Sequence, residues 1–398
     1  MKTLTKRAVF LKKQSFYLTT AQSYYLLLTT YMTTAQLKKY AHLLVNYSVR
    51  LKPNERLLID STTLAEPLVR EIYAEALRVG GLPFTLLSMQ EESNLRYEFG
   101  NEAQLSVANP LYAEAMQNFD AYIVVRAPYP NKKSVKPTEA QAMAHTAALA
   151  PYKKIYSQRT ANLSLRRNLC EYPTQTNADF AGMSLQEYTD FIIHACFLDQ
   201  ENPIEHWQAI SRFQAKIVAH LNQCKTLRYV NKESDLTMSI AGRTWMNSDG
   251  QTNMPSGEVF SSPVETAVDG VMYFDYPSVF QGQTVQGIRL WLRDGEVYKW
   301  EAKEGGELLD RVFSVAGARR FGEVAIGCNY NIQRPVKNIL FDEKIGGSVH
   351  LAVGDTYLQT GGTNQSAIHW DMIADMKNGG IIYADGVKIY ENGEFLIA

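Results

Sequence analysis

Apolar residues recur at helical spacing from Ala35 to Val49, through Leu37, Tyr40, Ala41, Leu44 and Val45, before a turn at Lys52-Pro53-Asn54. The run RLLID at 56–60 then predicts a strand. Glu66 to Val79 predicts a helix with Pro67 near its start and Gly80-Gly81 as its stop. PFTLLSM supplies a second strand, residues 101–118 a helical stretch, and AYIVVRA at 121–127 a third strand. Strand, helix, strand, helix, strand at this spacing is the pattern of a parallel sheet covered by helices, so the N-terminal domain reads as α/β. Helical periodicity resumes at residue 184, where Trp207, Ile210, Phe213 and Ile217 step along one face as a core stripe.

From Thr226 onward the texture changes to short apolar runs broken by Gly, Asp and Asn: TLRYV, LTMSIAGR, VMYFDY, GIRLWLRDGEVYKWEA and GGIIYADGVKIYENGEFLI. Arg293-Asp294-Gly295-Glu296 and Glu391-Asn392-Gly393-Glu394 are tight hairpin signals, because Asp-Gly and Asn-Gly suit turns that need positive φ. LLDRVFSVAGARRFG, residues 308–322, is the only substantial helix expected there. The sequence therefore divides into an extension at 1–31, an α/β domain at 32–225 and a strand-rich α+β catalytic domain at 226–398. The extension is basic and then rich in Tyr, Leu and Thr. Its apolar stretch, Tyr24 to Leu28, is broken by Thr29 and Thr30 and offers no cleavage site, so it reads as an addition, with an appended helix as the alternative.

Composition narrows the function. Lys plus Arg number 40 against 41 Asp plus Glu, for a net charge of -1, which argues against nucleic acid or an anionic membrane as main partner. No run of eighteen apolar residues predicts a transmembrane helix. Cys170, Cys196, Cys224 and Cys328 form no CxxC pair and read as reduced core thiols of a cytoplasmic protein. The first βα turn has neither GxGxxG nor GxxxxGK[ST], so the layout carries no nucleotide site. Lys132, Lys133, Lys136, Lys153, Lys154 and Arg159 read as a solvated helical face, and His194, His206 and His220 as packed or surface residues.

The chemistry concentrates in NILFDEKIGGSVHLAVGDTYLQTGGTNQSAIHWD, residues 338–371. His369 and Asp371 are one residue apart, so on a strand both project from the same face. His350 sits in the apolar run SVHLAV between glycine-marked turns, and Tyr357 follows the second of these. Glu258 in NMPSGEVF and Glu323 in RRFGEVAIG each interrupt a buried-looking stretch, and a carboxylate there needs a partner. Imidazole with carboxylate is a donor set for zinc, cobalt, manganese or magnesium. Residue by residue, strand-edge acids and hydrogen-bonded core histidines fit the same strings, since no HEXXH motif is present.

The strings NMPSGEVF, FGEVAIG, NILFDEKIGGSVHLAVGD and GGTNQSAIHWD resemble the metallo-aminopeptidase family of aminopeptidase T and aminopeptidase S, from about residue 36 to the C-terminus. That resemblance implies two divalent ions held by Glu258, Glu323, His350, His369 and Asp371, with Tyr357 beside them and Glu343 a further member. It also implies Glu323 as the bridging carboxylate, short peptides with a free N-terminus as substrates, and a homodimer with an enclosed cavity. Another two-metal amidohydrolase, or a binding protein with structural metals, is the alternative. The sequence leaves open the metal used, the preferred N-terminal residue and the general base.

Overall fold

A computed structural model describes residues 31–130 and 135–397. The expectations for residues 1–30, Lys132 and Lys133 lie outside the described residues. The first sheet has five parallel strands in the order Leu82–Ser88, Arg56–Thr62, Ala121–Arg126, Arg166–Glu171 and Asn253–Met254. Its buried Leu57, Ile59, Ile123 and Val125 pack against Leu68, Val69 and Ile72 of helix Glu66–Arg78. These are the apolar positions from which the α/β pattern was read.

The strand Arg166–Glu171 and the helix Glu92–Phe99 had no apolar signature of their own. In that strand the inward positions include Asn168 and Glu171, both fully buried and hydrogen-bonded, so hydrophobic alternation is lost where pairing persists. The helical stretch expected at 101–118 splits into Glu102–Leu105 and Pro110–Asn118, since Asn109 caps Leu111 and Pro110 starts a new helix. The helix from Thr34 is α-helical to His42 and continues as a π-helical turn over Leu43–Ser48.

The C-terminal half is built on two antiparallel sheets. One has eight strands in the order Glu296–Glu301, Ile288–Arg293, Val268–Phe274, Asp235–Ser239, Thr226–Val230, Ile381–Ala384, Val387–Glu391 and Glu394–Phe395. Both expected hairpin turns form, with Asp294-Gly295 and Asn392-Gly393 at positive φ. The other has five strands in the order His369–Asp375, Ser348–Gly354, Phe321–Gly327, Glu258–Ser261 and Met246–Ser248. Leu236, Met238, Met272 and Leu290 of the large sheet share one core with Val324, Ile326, Val349, Leu351 and Met372 of the small sheet. Side chains alternate across a strand, so the residues between these positions project from the opposite face of the small sheet. That face carries the candidate site.

The expected helix over 308–322 is shorter: it spans Gly306–Phe313 and gives way to turns. The Ser314 hydroxyl donates to the Arg311 carbonyl at the helix end. Gly317 adopts φ +75° against the backbone of Gln365, where a Cβ would come within 2.1 Å of a carbonyl oxygen. A continuous helix is incompatible with that close approach. The two halves interlock: Asn253–Met254 completes the first sheet, and Ile332, Val336, Leu340, Phe341 and Ile345 pack into the N-terminal core. The segment leading to Glu343 is thereby anchored on both sides. Among the described residues no helix is long and apolar enough to cross a membrane.

Candidate metal centre

Strand register assembles the cluster. Glu258 pairs opposite Gly327, His350 opposite Ala325, Ala352 lies between Glu323 and Asp371, and His369 pairs opposite Gly354. Glu258, Glu323, His350, His369 and Asp371 consequently share the face turned away from the apolar core. Small residues beside them, Ala325 and Ala352, leave room for the longer side chains. His350 Nε2 lies 3.5 Å from Glu258 Oε2 and 3.7 Å from Glu323 Oε1, while His369 Nε2 lies 3.2 Å from Glu323 Oε2 and 3.8 Å from Asp371 Oδ1. The two oxygens of Glu323 thus face different histidines. Glu343 arrives from the turn after the short helix Ile339–Asp342, and its carboxylate groups with the Glu258 carboxylate and the His350 imidazole. All the sequence-proposed acids and histidines are brought together.

Supporting contacts fix these side chains. His369 Nδ1 is 2.9 Å from the Asp355 carbonyl, which can only accept, so Nδ1 carries the proton and Nε2 is left as the donor atom toward the cluster. Ser278 donates to the Asp371 carbonyl and accepts from Trp370 Nε1, each at 2.6 Å, pinning the His369–Asp375 strand. Gln214, buried on helix Pro203–Leu221, donates to the Glu258 carbonyl. Tyr357 is 39% exposed, with its ring edge-on to His369 and Phe260 at centroid separations of 5.2 and 5.5 Å. Its loop is tied down by Thr356, whose hydroxyl donates to the Gly322 carbonyl and meets Ser262. Gly362 is required there, since a Cβ would fall 2.0 Å from Thr356 Oγ1.

The structure adds a residue that pattern reading passed over. Lys344 is fully buried, with Nζ 2.9 Å from Glu258 Oε1 and bonded also to Glu343. The signal was present in FDEKIGG, but a Glu-Lys neighbour pair ordinarily reads as solvated surface. Asp342, also buried, accepts from the Val336 amide and is pushed up to about 7 by burial.

Glu258, Glu323 and Asp371 bring three buried carboxylates together, half-buried Glu343 adds a fourth at the edge, and buried Lys344 supplies a permanent cation bonded to Glu258 and Glu343. Burial works against charge on Glu323, yet His350 and His369 hold it down at about 2. Burial likewise opposes charge on the histidines, but Glu323 and the neighbouring acids raise them to about 9 for His350 and about 10 for His369. Burial lifts Asp371 to about 6 and raises Glu343. Protons held this firmly occupy positions for which a divalent cation competes. Glu258 Oε2, both ring nitrogens of His350 and Asp371 Oδ1 are buried without hydrogen-bond partners. Orphaned donors of this chemistry fit metal coordination: Glu258, Glu343 and His350 form one three-ligand group, and Glu323, His350 and Asp371 a second.

Comparison with known proteins agrees with this chemistry. Residues 33–395 match the family described as thermophilic metalloprotease (M29). The protein is 28% identical to Aminopeptidase 2 of Geobacillus stearothermophilus over 90% of its own length and 97% of the relative's. It is 26% identical to Aminopeptidase T of Thermus thermophilus, covering 88% of its own length and 96% of the relative's. The solved structure of wild-type AmpT from Thermus thermophilus superposes with a TM-score of 0.77 at 24% identity, over 91% of this protein and 99% of that one, and shares its fold. The chain belongs to the thermophilic metalloprotease family M29, the metallo-aminopeptidase family that its motifs resemble, and is an enzyme of that type.

Proposed function

We propose that the protein releases N-terminal residues from short peptides by a water attack supported by two divalent ions. Glu258, Glu323, His350, His369 and Asp371 would hold the ions, and the two oxygens of Glu323 face different histidines. The observation that carries this reading is the excess of buried carboxylate over cation in one cluster whose orphaned atoms converge. Divalent ions bound there would supply Lewis acidity and make water a better nucleophile. Glu343, raised by burial, takes a proton from the attacking water and passes it to the leaving amine. The Tyr357 hydroxyl, held protonated chiefly by the negative charge of Glu323, donates a hydrogen bond to the developing oxyanion. Lys344 offsets part of the carboxylate charge and keeps Glu258 and Glu343 in register.

Supporting a reducing compartment such as the cytoplasm, all four cysteines are free thiols. The family likeness supports a homodimer in which the 32–225 region walls access to the 226–398 catalytic region, and mass in solution tests it. The function itself is tested by chelating the purified protein and restoring it separately with zinc, cobalt, manganese or magnesium. Each form is then assayed on free and N-acetylated aminoacyl substrates. Metal-dependent release from the free substrates alone is expected; equal cleavage of blocked ones would replace aminopeptidase with a broader amidohydrolase.

A further inference from the structure

A cavity of about 470 Å³ has Tyr357 in its wall, the residue whose ring lies against His369 of the metal centre. Its volume suits a small ligand or short peptide. The catalytic half contributes the loop from Asp355 to Gln359, and the N-terminal half contributes Arg50, Ser157, Arg166 and Arg167. The cations are not equivalent. Arg166 is committed, bonded to Glu55 and to the Val49 carbonyl. Arg167 donates through Nη1 to the Thr252 carbonyl and Asn253 Oδ1, contacts that orient the guanidinium and leave its charge without a carboxylate. Arg50 is exposed, and no hydrogen bond or ion pair to it is found among the described residues. Its backbone is held at φ 47°, a left-handed conformation that a non-glycine residue adopts only where its surroundings impose it. The preceding Ser48 supplies that constraint by donating to the Gly250 carbonyl, and the Val49 carbonyl is taken by Arg166.

The charge distribution is directional. One wall of the cavity carries Tyr357, whose ring lies against His369 of the metal centre, with Asp355 as the one carboxylate, while the N-terminal wall carries two guanidinium groups without a carboxylate partner. A peptide bound amine-first at the acids would run past Tyr357 with its other end toward the arginines. We propose that this cavity is a subsite for the terminal α-carboxylate of short peptides, received by Arg50 and Arg167. The proposal rests on the aminopeptidase reading and narrows its substrates to zwitterionic peptides short enough to span the cavity. Guanidinium groups pair with carboxylates through charge-assisted hydrogen bonds, which are stronger than neutral ones.

The test compares kcat/KM on Leu-Gly-Gly, its C-terminal amide, and Leu-Gly-Glu amide, with leucine p-nitroanilide as a substrate too short to need the subsite. For the metal-loaded wild type, the free acid is expected to exceed the tripeptide amide by about tenfold or more, as one charge-assisted contact allows. In Arg50→Met, and more fully in Arg50→Met combined with Arg167→Met, that ratio falls toward one. The ratio is insensitive to any loss of folded protein, because both substrates share it. A wild-type ratio near one, or a ratio unchanged in both variants, overturns the inference while anilide hydrolysis leaves the aminopeptidase reading standing. Restoration of the preference by Leu-Gly-Glu amide would assign the arginines to an acidic side chain and overturn the α-carboxylate assignment. Absence of anilide hydrolysis would defeat both readings.

Discussion

Replacing Lys344 by Met removes one buried cation while keeping most of its aliphatic volume, so the change isolates the charge. The ammonium is fully buried and bonded to both Glu258 and Glu343. Removing one partner of a buried ion pair typically costs about 3–5 kcal/mol, because the charge left behind is neither paired nor solvated. Here two carboxylates are left, and the upper part of that range is expected for the chelated protein at about pH 8. The sign with pH follows from Glu343. Burial raises its carboxyl above the ordinary value, and Lys344 is the main opposing pull. A group raised in the folded state stabilises below its unfolded pKa and loses that contribution as pH rises through its folded value. Without Lys344 the folded value moves higher still, so the variant's deficit should be largest at about pH 8 and shrink toward about pH 5. Chemical denaturation followed by tryptophan emission reads the relevant half, since Trp245, Trp291, Trp300 and Trp370 all lie beyond residue 226 and Trp207 alone lies before it. Divalent ions added to the chelated variant should recover much of the deficit, because anything bound only by the native state stabilises it. A variant as stable as the wild type at about pH 8 in chelator, or a deficit that does not shrink on acidification, would refute the role given to Lys344.

Asp371→Ala should lower metal content and abolish turnover with the circular dichroism spectrum retained, since the site sits on an already packed sheet; full occupancy by elemental analysis with normal turnover would sink the assignment. Tyr357→Phe should reduce kcat and kcat/KM together, by about 10²–10³ for loss of one oxyanion donor, with metal content unchanged. A rise in KM alone would contradict that role. Asp342 is raised to about 7 in the fold, so its protonated form stabilises the chelated protein at low pH, and that contribution disappears as pH rises through about 7. Asp342→Asn keeps the acceptor for the Val336 amide and should flatten this slope, measured as denaturation midpoint against pH.

The parallel sheet was legible because each of its first three strands is an apolar run between turn signals, and packing rewards that pattern directly. Arg166–Glu171 was not, because its inward Asn168 and Glu171 are satisfied by hydrogen bonds that come from distant segments, including Gly250 and Asn338. The same distinction runs through the candidate site. His369 and Asp371 advertise a shared face by their spacing, and Glu258 and Glu323 stand out as acids inside apolar strands. Lys344 offers no such contrast. Beside Glu343 it resembles any exposed ion pair, and its burial depends on Glu258 arriving from another strand to supply the second carboxylate. The cavity arginines are harder again, because Arg50 and Arg167 acquire meaning only when the N-terminal half folds against the Tyr357 loop. Local pattern thus reports residues whose burial conflicts with their own neighbours in sequence. Residues whose role is to balance charge contributed from elsewhere leave no trace until the protein is folded, and Lys344, set between Glu258 and Glu343, is such a residue.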